Sequence, residues 1–222
     1  MLAVVLVLGA SSSPASGKLF LAGGGTTPPE LVRRFIETCG PEGMIVVLPL
    51  ASEAARGEGS VELLKEHGAK RVIQFAVASP TDQDRDGLAR TLREARGIWM
   101  PGGIQSRIIE RLGLAWARRE IGRRVREGMN VYGTSAGAMA ASRSMILGPG
   151  PKPETAETGP GLGLTSWVID THFGQRKREG RLRDALRITG RTRGLGIDER
   201  SWVLLQEDRI LETHGGVLKI EL

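Results

Sequence analysis

Short apolar runs alternate with amphipathic stretches along most of this chain. Strand-length runs cover Lys18 to Ala22, Met44 to Pro49, Arg71 to Phe75, Gly97 to Met100, Asn130 to Tyr132 and Val168 to Asp170, each closed by a turn signal. Between them, helical periodicity runs over Pro29 to Thr38, Ser60 to His67, Asp84 to Ala95, Ser106 to Gly128 with a break at Gly113, and Ala136 to Ser144. Pro29 near a helix start, and Ser60 ahead of Leu63 and Leu64, are suitable N-terminal signals. Strands alternating with helices predict an α/β fold, a mostly parallel sheet with helices on both faces. Gly148 to Gly163 is rich in Pro and Gly, has no periodicity and reads as a loop. The tail changes character: Leu195 to Asp198, Trp202 to Leu205, Arg209 to Leu211 and Val217 to Leu222 are short strands separated by turns such as His214-Gly215-Gly216. They predict antiparallel strands at one sheet edge.

The first sixteen residues stand apart. Met1 to Ala10 is apolar, and Ser11-Ser12-Ser13-Pro14-Ala15 supplies the small residues of a signal-peptidase site, although no Lys or Arg precedes the run. A secretory leader over 1–16 is favoured over a buried first strand, Ala3 to Leu8, because the strand-like Leu19 to Ala22 follows directly. The run is too short to span a membrane as a helix. The mature chain, 17–222, is then one domain with no membrane partner. It is secreted or periplasmic if the leader is real, and cytoplasmic otherwise.

Composition narrows the function classes. The 222 residues are 40% hydrophobic and 25% charged, ordinary values for a globular domain. A net charge of +6 would fit nucleic-acid binding if Lys and Arg formed one patch interleaved with aromatics, but they are spread over several amphipathic segments and aromatics are only 4%. The basicity reads as solvated helix faces plus a local site for an acidic substrate. Cys39 is the single cysteine, so there is no internal disulfide, and none of His67, His172 and His214 is spaced as a metal ligand. Neither metal nor other cofactor is expected.

The chemistry concentrates in Gly133-Thr134-Ser135-Ala136-Gly137. It follows the strand Asn130-Val131-Tyr132 and precedes the helix former Ala138-Met139-Ala140-Ala141. In that context a Gly-x-Ser-x-Gly turn lifts a serine hydroxyl off the sheet at a helix N-terminus, as a nucleophile needs. A serine needs a base. His67 sits before a capping glycine and His214 in a hairpin turn, which leaves His172, at the end of the strand Val168 to Asp170. The acid that orients the imidazole is taken first as Glu199, after Gly194-Leu195-Gly196-Ile197-Asp198, with Asp170 and Asp198 as competitors. Ala136 N–H and the Gly103 N–H of Pro101-Gly102-Gly103-Ile104-Gln105 suit an oxyanion hole, with Gln105 turned toward substrate. Gly23-Gly24-Gly25 lacks dinucleotide-loop spacing and reads as close backbone packing beside the site. Gln175-Arg176-Lys177-Arg178 and Arg181 place cations near the base, suited to carboxylates.

Taken together, four ordered segments carry a family resemblance: Gly133 to Ala138, Gly161-Leu162-Gly163-Leu164, Asp170 to Leu182 around His172-Phe173, and Gly194 to Glu199. Through them the chain resembles the cyanophycinases, in the serine peptidase family that also holds aspartyl dipeptidase (peptidase E). The resemblance implies a flavodoxin-like sheet related to class I glutamine amidotransferases and a Ser-His-acid mechanism. It also implies hydrolysis of cyanophycin, a poly-aspartate with arginine on each side chain, to β-Asp-Arg dipeptides. By the same carry-over Gln105, Asp170, Gln175, Arg176, Arg178 and Arg181 line the substrate site. Two positions depart from the family: Ile104, where Asp or Asn is common, and Thr171, where cyanophycinases usually carry Gln, both expected near substrate. The implied partner is an acidic or β-aspartyl peptide or polymer, with room for a homodimer. Alternatives are a dipeptidase or related hydrolase of other aspartyl peptides, and a non-catalytic peptide-binding protein on the same fold.

Overall fold

The computed structural model describes residues 15–152 and 154–222, so the expected leader and the alternative strand Ala3 to Leu8 lie outside the described residues except for Ala15 and Ser16. The first half runs β1 (Leu19–Ala22), α1 (Pro29–Cys39), β2 (Met44–Val47), α2 (Glu58–Glu66), β3 (Arg71–Gln74), α3 (Asp82–Glu94), β4 (Ala95–Met100), α4 (Ser106–Leu112) and α5 (Leu114–Arg126). The second half runs β5 (Asn130–Thr134), α6 (Ala136–Ala140), β6 (Ser144–Pro149), β7 (Ala156–Pro160), β8 (Val168–Thr171), α7 (Glu179–Thr189), β9 (Arg193–Ile197), β10 (Trp202–Gln206), β11 (Arg209–His214) and β12 (Val217–Glu221).

Seven strands form the main sheet in the order β11-β10-β1-β5-β4-β2-β3. The five from β1 to β3 are parallel, and β10 and β11 add antiparallel at the β1 edge. The expected α/β sheet with an antiparallel C-terminal edge is therefore present. Because side chains alternate across a strand, β1 sends Leu19 and Leu21 to one face and Phe20 and Ala22 to the other. The first face is covered by α3, α4 and α5 through Leu88, Leu92, Ile108, Leu112, Ala117 and Ile121. The second is covered by α1 and α2. There Phe35 meets Phe20, Trp99 and Tyr132 edge-on, while Trp99 stacks on Tyr132 at 3.5 Å.

Some expected elements change. The strand Val168 to Asp170 does not join the main sheet. As β8 it pairs parallel with β9, and β12 adds antiparallel, so the tail strands divide between two sheets. The helix expected over Ala136 to Ser144 stops at Ala140, and Gly148 to Gly163 is no loop, because β6 and β7 form an antiparallel hairpin. Gly148 to Pro151 lie near its tip, where Thr155 Oγ1 donates to Lys152 O, Gly159 and Pro160 pair with Met145 and Ser144 at its open end, and Ile146 and Ala156 on the arms are buried. Finally, the basic run after His172 leads into α7, whose Leu182, Ala185 and Leu186 pack with Val168, Phe173 and Ile220.

Candidate active site

The turn between β5 and α6 is built as its sequence requires. Ser135 has φ 51° and ψ −113°, a strained left-handed position for a non-glycine residue. A Cβ on Gly133 would strike the Gly137 carbonyl, and one on Gly137 the Met100 carbonyl, so neither glycine of the motif accepts a side chain. Ser135 N–H donates to Ala22 O at 3.0 Å and Met139 N–H to Ser135 O at 3.0 Å, which pin the turn from both sides. Ala136 is the first residue of α6, so its N–H has no acceptor within the helix.

Ser135 Oγ lies 2.9 Å from His172 Nε2, and His172 Nδ1 lies 2.7 Å from Glu199 Oε1. If Nδ1–H donates to the carboxylate, Nε2 is left free to accept the serine proton. His172 leaves β8 at φ 49°, held by its N–H donating to Gly23 O at 2.8 Å. The glycine run beneath this pair is close backbone packing beside the site, as expected. Gly24 has φ 101°, and a Cβ there would enter the His172 imidazole. Gly24→Ala is therefore expected to displace the ring and lower turnover by about 100-fold, since a shift of roughly 1 Å in a reacting group has that effect. Steady-state kinetics on a folded variant, checked by circular dichroism, measure it.

The other two carboxylates are engaged elsewhere. Asp198 Oδ1 accepts the Gly174 N–H at 2.6 Å. Asp170 is fully buried and grips Arg181 with both oxygens, with Nε to Oδ2 at 2.8 Å, while Arg178 Nη1 stands 3.4 Å from Oδ1. Arg178 Nη1 also donates to Thr171 O at 2.6 Å. Burial, with Arg181 next to it, brings the Arg178 guanidinium down to about 10.

The residues expected to line the substrate site are placed as follows. Asp170 and Arg181 neutralise each other inside the protein. Thr171 is fully buried with its hydroxyl on Met139 Sδ at 3.3 Å. Gln105 is 8% exposed and donates from Nε2 to Ile146 O and Leu147 O, both at 2.7 Å, tying the turn after β4 to the hairpin. Arg178 is half-buried and turned to the backbone, whereas Arg176 is exposed. Gln175 is exposed, with Oε1 accepting the Glu199 N–H at 3.0 Å. In the loop after β4, expected to supply an oxyanion N–H, Gly102 faces Ser135, with 3.5 Å from an added Cβ to Ser135 Cβ. Gly103 follows it with φ 141°, and a Cβ there would strike Ala51 O. Not anticipated was a cavity of about 490 Å³ that Glu199 lines together with Thr26, Thr27, Glu30, Arg200 and His214. Among the described residues no group of three or more His, Cys, Asp or Glu side chains is gathered to hold a metal, and no helix is long and apolar enough to cross a membrane.

Comparison with known proteins bears on family and fold. The model of peptidase family S51 matches residues 19–213. The cyanophycinase of Trichormus variabilis is 30% identical over 220 residues, spanning 95% of this chain and 70% of its own length. That of Geminocystis herdmanii is likewise 30% identical, over 95% of this chain and 77% of its own length. Among solved structures, a peptidase from an acI-B1 Actinobacterium superposes with TM-score 0.65 at 18% identity, covering 95% of this chain and 98% of its own. A peptidase E candidate from Listeria monocytogenes EGD-e gives TM-score 0.60 at 18% identity, covering 94% and 100%. At that identity the two structures establish a shared fold.

Proposed function

The chain belongs to peptidase family S51 and is a serine peptidase, and from that premise we propose that it hydrolyses cyanophycin to β-Asp-Arg dipeptides with Ser135, His172 and Glu199 as a catalytic triad. One observation carries the reading: the unbroken line from Ser135 Oγ to His172 Nε2 and from His172 Nδ1 to Glu199 Oε1, at 2.9 and 2.7 Å, at a strained turn. In the forward step Nε2 takes the hydroxyl proton while Oγ bonds to the scissile carbonyl carbon. The resulting oxyanion is met by the N–H groups of Ala136 and Gly103. His172 then gives its proton to the departing amine nitrogen as the C–N bond breaks, leaving an acyl group on Ser135. Water, deprotonated by His172, repeats the sequence and frees the acid. Glu199 stabilises the imidazolium in both halves without taking its proton.

Substrate choice rests on similarity to the cyanophycinases and on the cavity beside Glu199, whose Glu30 and Arg200 are complementary to a polymer bearing both guanidinium and carboxylate groups. A second reading, hydrolysis of other aspartyl or β-aspartyl peptides, is favoured by two features. Asp170 occupies Arg181 and holds Arg178 beside it, leaving fewer cations free than the sequence suggests, and Ile104 is exposed where a polar residue is usual. Incubation of the purified protein with cyanophycin, and in parallel with a panel of Asp-X and β-Asp-X dipeptides, separates the two by mass spectrometry. β-Asp-Arg from the polymer is the expected result. Dipeptide cleavage without polymer cleavage selects the second reading.

A further inference from the structure

His172 and Glu199 stand on separate loops, one after β8 and one after β9, and two side chains cross between those loops in opposite directions. Asp198, from the Glu199 loop, accepts the Gly174 N–H at 2.6 Å. Gln175, from the His172 loop, accepts the Glu199 N–H at 3.0 Å. A backbone bond, Phe173 N–H to Ile197 O at 3.2 Å, continues the same seam. Asp198 is itself firmly seated, since its own N–H donates to Gly216 O at 2.9 Å and neither Gly174 nor Gly216 leaves room for a Cβ against its carboxylate. We propose that Asp198 and Gln175 are positioning residues, a reciprocal latch that holds His172 Nδ1 against Glu199 Oε1 without touching substrate.

The need for such a latch follows from the backbone. His172 at φ 49° and Arg200 at φ 58°, one on each loop, lie in the left-handed region that non-glycine residues keep only where the surroundings over-determine it. Neither His172 nor Glu199 lies on a helix or strand, so the pair depends on ties between the loops. Both latch bonds end on the residues that matter. One fixes the backbone two residues after His172, and the other fixes the N–H of Glu199 itself. A negative charge on Asp198 is not required for this role, only an oxygen acceptor at the Oδ1 position.

The inference rests on the triad reading of the site and is tested so that the two fail separately. The variants are Asp198→Ala, Asp198→Asn and Gln175→Leu, measured beside wild type and Ser135→Ala. The readouts are kcat and KM on whichever peptide the wild type cleaves, together with the rate of Ser135 labelling by a fluorophosphonate, which needs no knowledge of the substrate. Asp198→Ala and Gln175→Leu are expected to lower kcat and the labelling rate by about 10- to 100-fold with KM little changed. Asp198→Asn, which keeps the acceptor oxygen, is expected to recover most of that loss. A rise in KM at constant kcat would make these residues substrate contacts, and an Asn variant as slow as the Ala variant would make the charge essential. Either result overturns the latch, as does full activity of both truncated variants. If Asp198→Ala does not fold, Gln175→Leu, at an exposed position, carries the test. Full activity of Ser135→Ala would instead sink the triad itself.

Discussion

Ser135→Ala is expected to lower kcat by roughly 10⁶-fold, with little change in KM or in melting temperature. The size follows from the geometry at Ser135. The hydroxyl is the group whose proton His172 is placed to take, and its β-carbon already occupies the strained backbone, so alanine fits the turn without disturbing it. Because the three residues act as a unit, the double variant Ser135→Ala/His172→Ala should fall no further than either single one. Glu199→Gln should be milder, roughly 10⁴-fold, because the amide can still meet Nδ1 but no longer stabilises the imidazolium. The residual activity reports the oxyanion N–H groups and substrate binding alone. Active-site labelling with a fluorophosphonate, followed by mass spectrometry of the modified peptide, and steady-state kinetics of the four variants check the series. A Ser135→Ala enzyme within tenfold of wild type would remove Ser135 from the chemistry.

How far the sequence leads depends on whether a feature is local. The turn around Ser135 could be read because everything it needs lies within a few residues: a strand, two glycines that no side chain could replace, and a helix former. His172 and Glu199 could be ranked because few histidines exist and each candidate ends an apolar run. Sheet membership was not legible in the same way. β8 and the strands of the main sheet have the same apolar character, and only packing against α7 and the β6–β7 hairpin places β8 beside β9. That hairpin was hidden because Pro and Gly near its tip dominate a segment whose arms are short and interrupted by a register shift between Ile146 and Gly148. The pairing of Asp170 with Arg178 and Arg181 has a physical reason that the sequence did contain. Asp170 lies within the apolar strand Val168-Ile169-Asp170-Thr171, and a carboxylate buried there requires a counter-charge. The following turn and the first turn of α7 supply it in Arg178 and Arg181. Two of the arginines that seemed available to substrate were already needed inside.

That internal pairing leads to the second large effect, this time on stability. Asp170→Asn is expected to destabilise the protein by about 3–5 kcal/mol, because removing one partner of a buried ion pair leaves the other uncompensated. Here the amide keeps one acceptor oxygen for Arg181, but the other position becomes an NH2 that faces a guanidinium donor, and Arg178 loses the one nearby charge that favours its ionised form. Arg178 already sits below the usual guanidinium range, at about 10, through burial and the proximity of Arg181, and loss of Asp170 moves it further down. The expected fall in melting temperature is roughly 6–20 °C for a chain of this size. The double variant Asp170→Leu/Arg181→Leu should be distinctly less destabilised than Asp170→Asn, because an apolar pair of similar bulk leaves no stranded charge at that position. Thermal unfolding followed by circular dichroism measures both, and equal stability of wild type and Asp170→Asn would show that the carboxylate is not the anchor of this cluster. The same variant bears on catalysis, since Arg178 holds the Thr171 carbonyl next to His172 at 2.6 Å. If Asp170 acts only through this scaffold, Asp170→Asn loses kcat at temperatures below its unfolding transition with KM little changed, whereas a direct substrate contact would appear as a rise in KM.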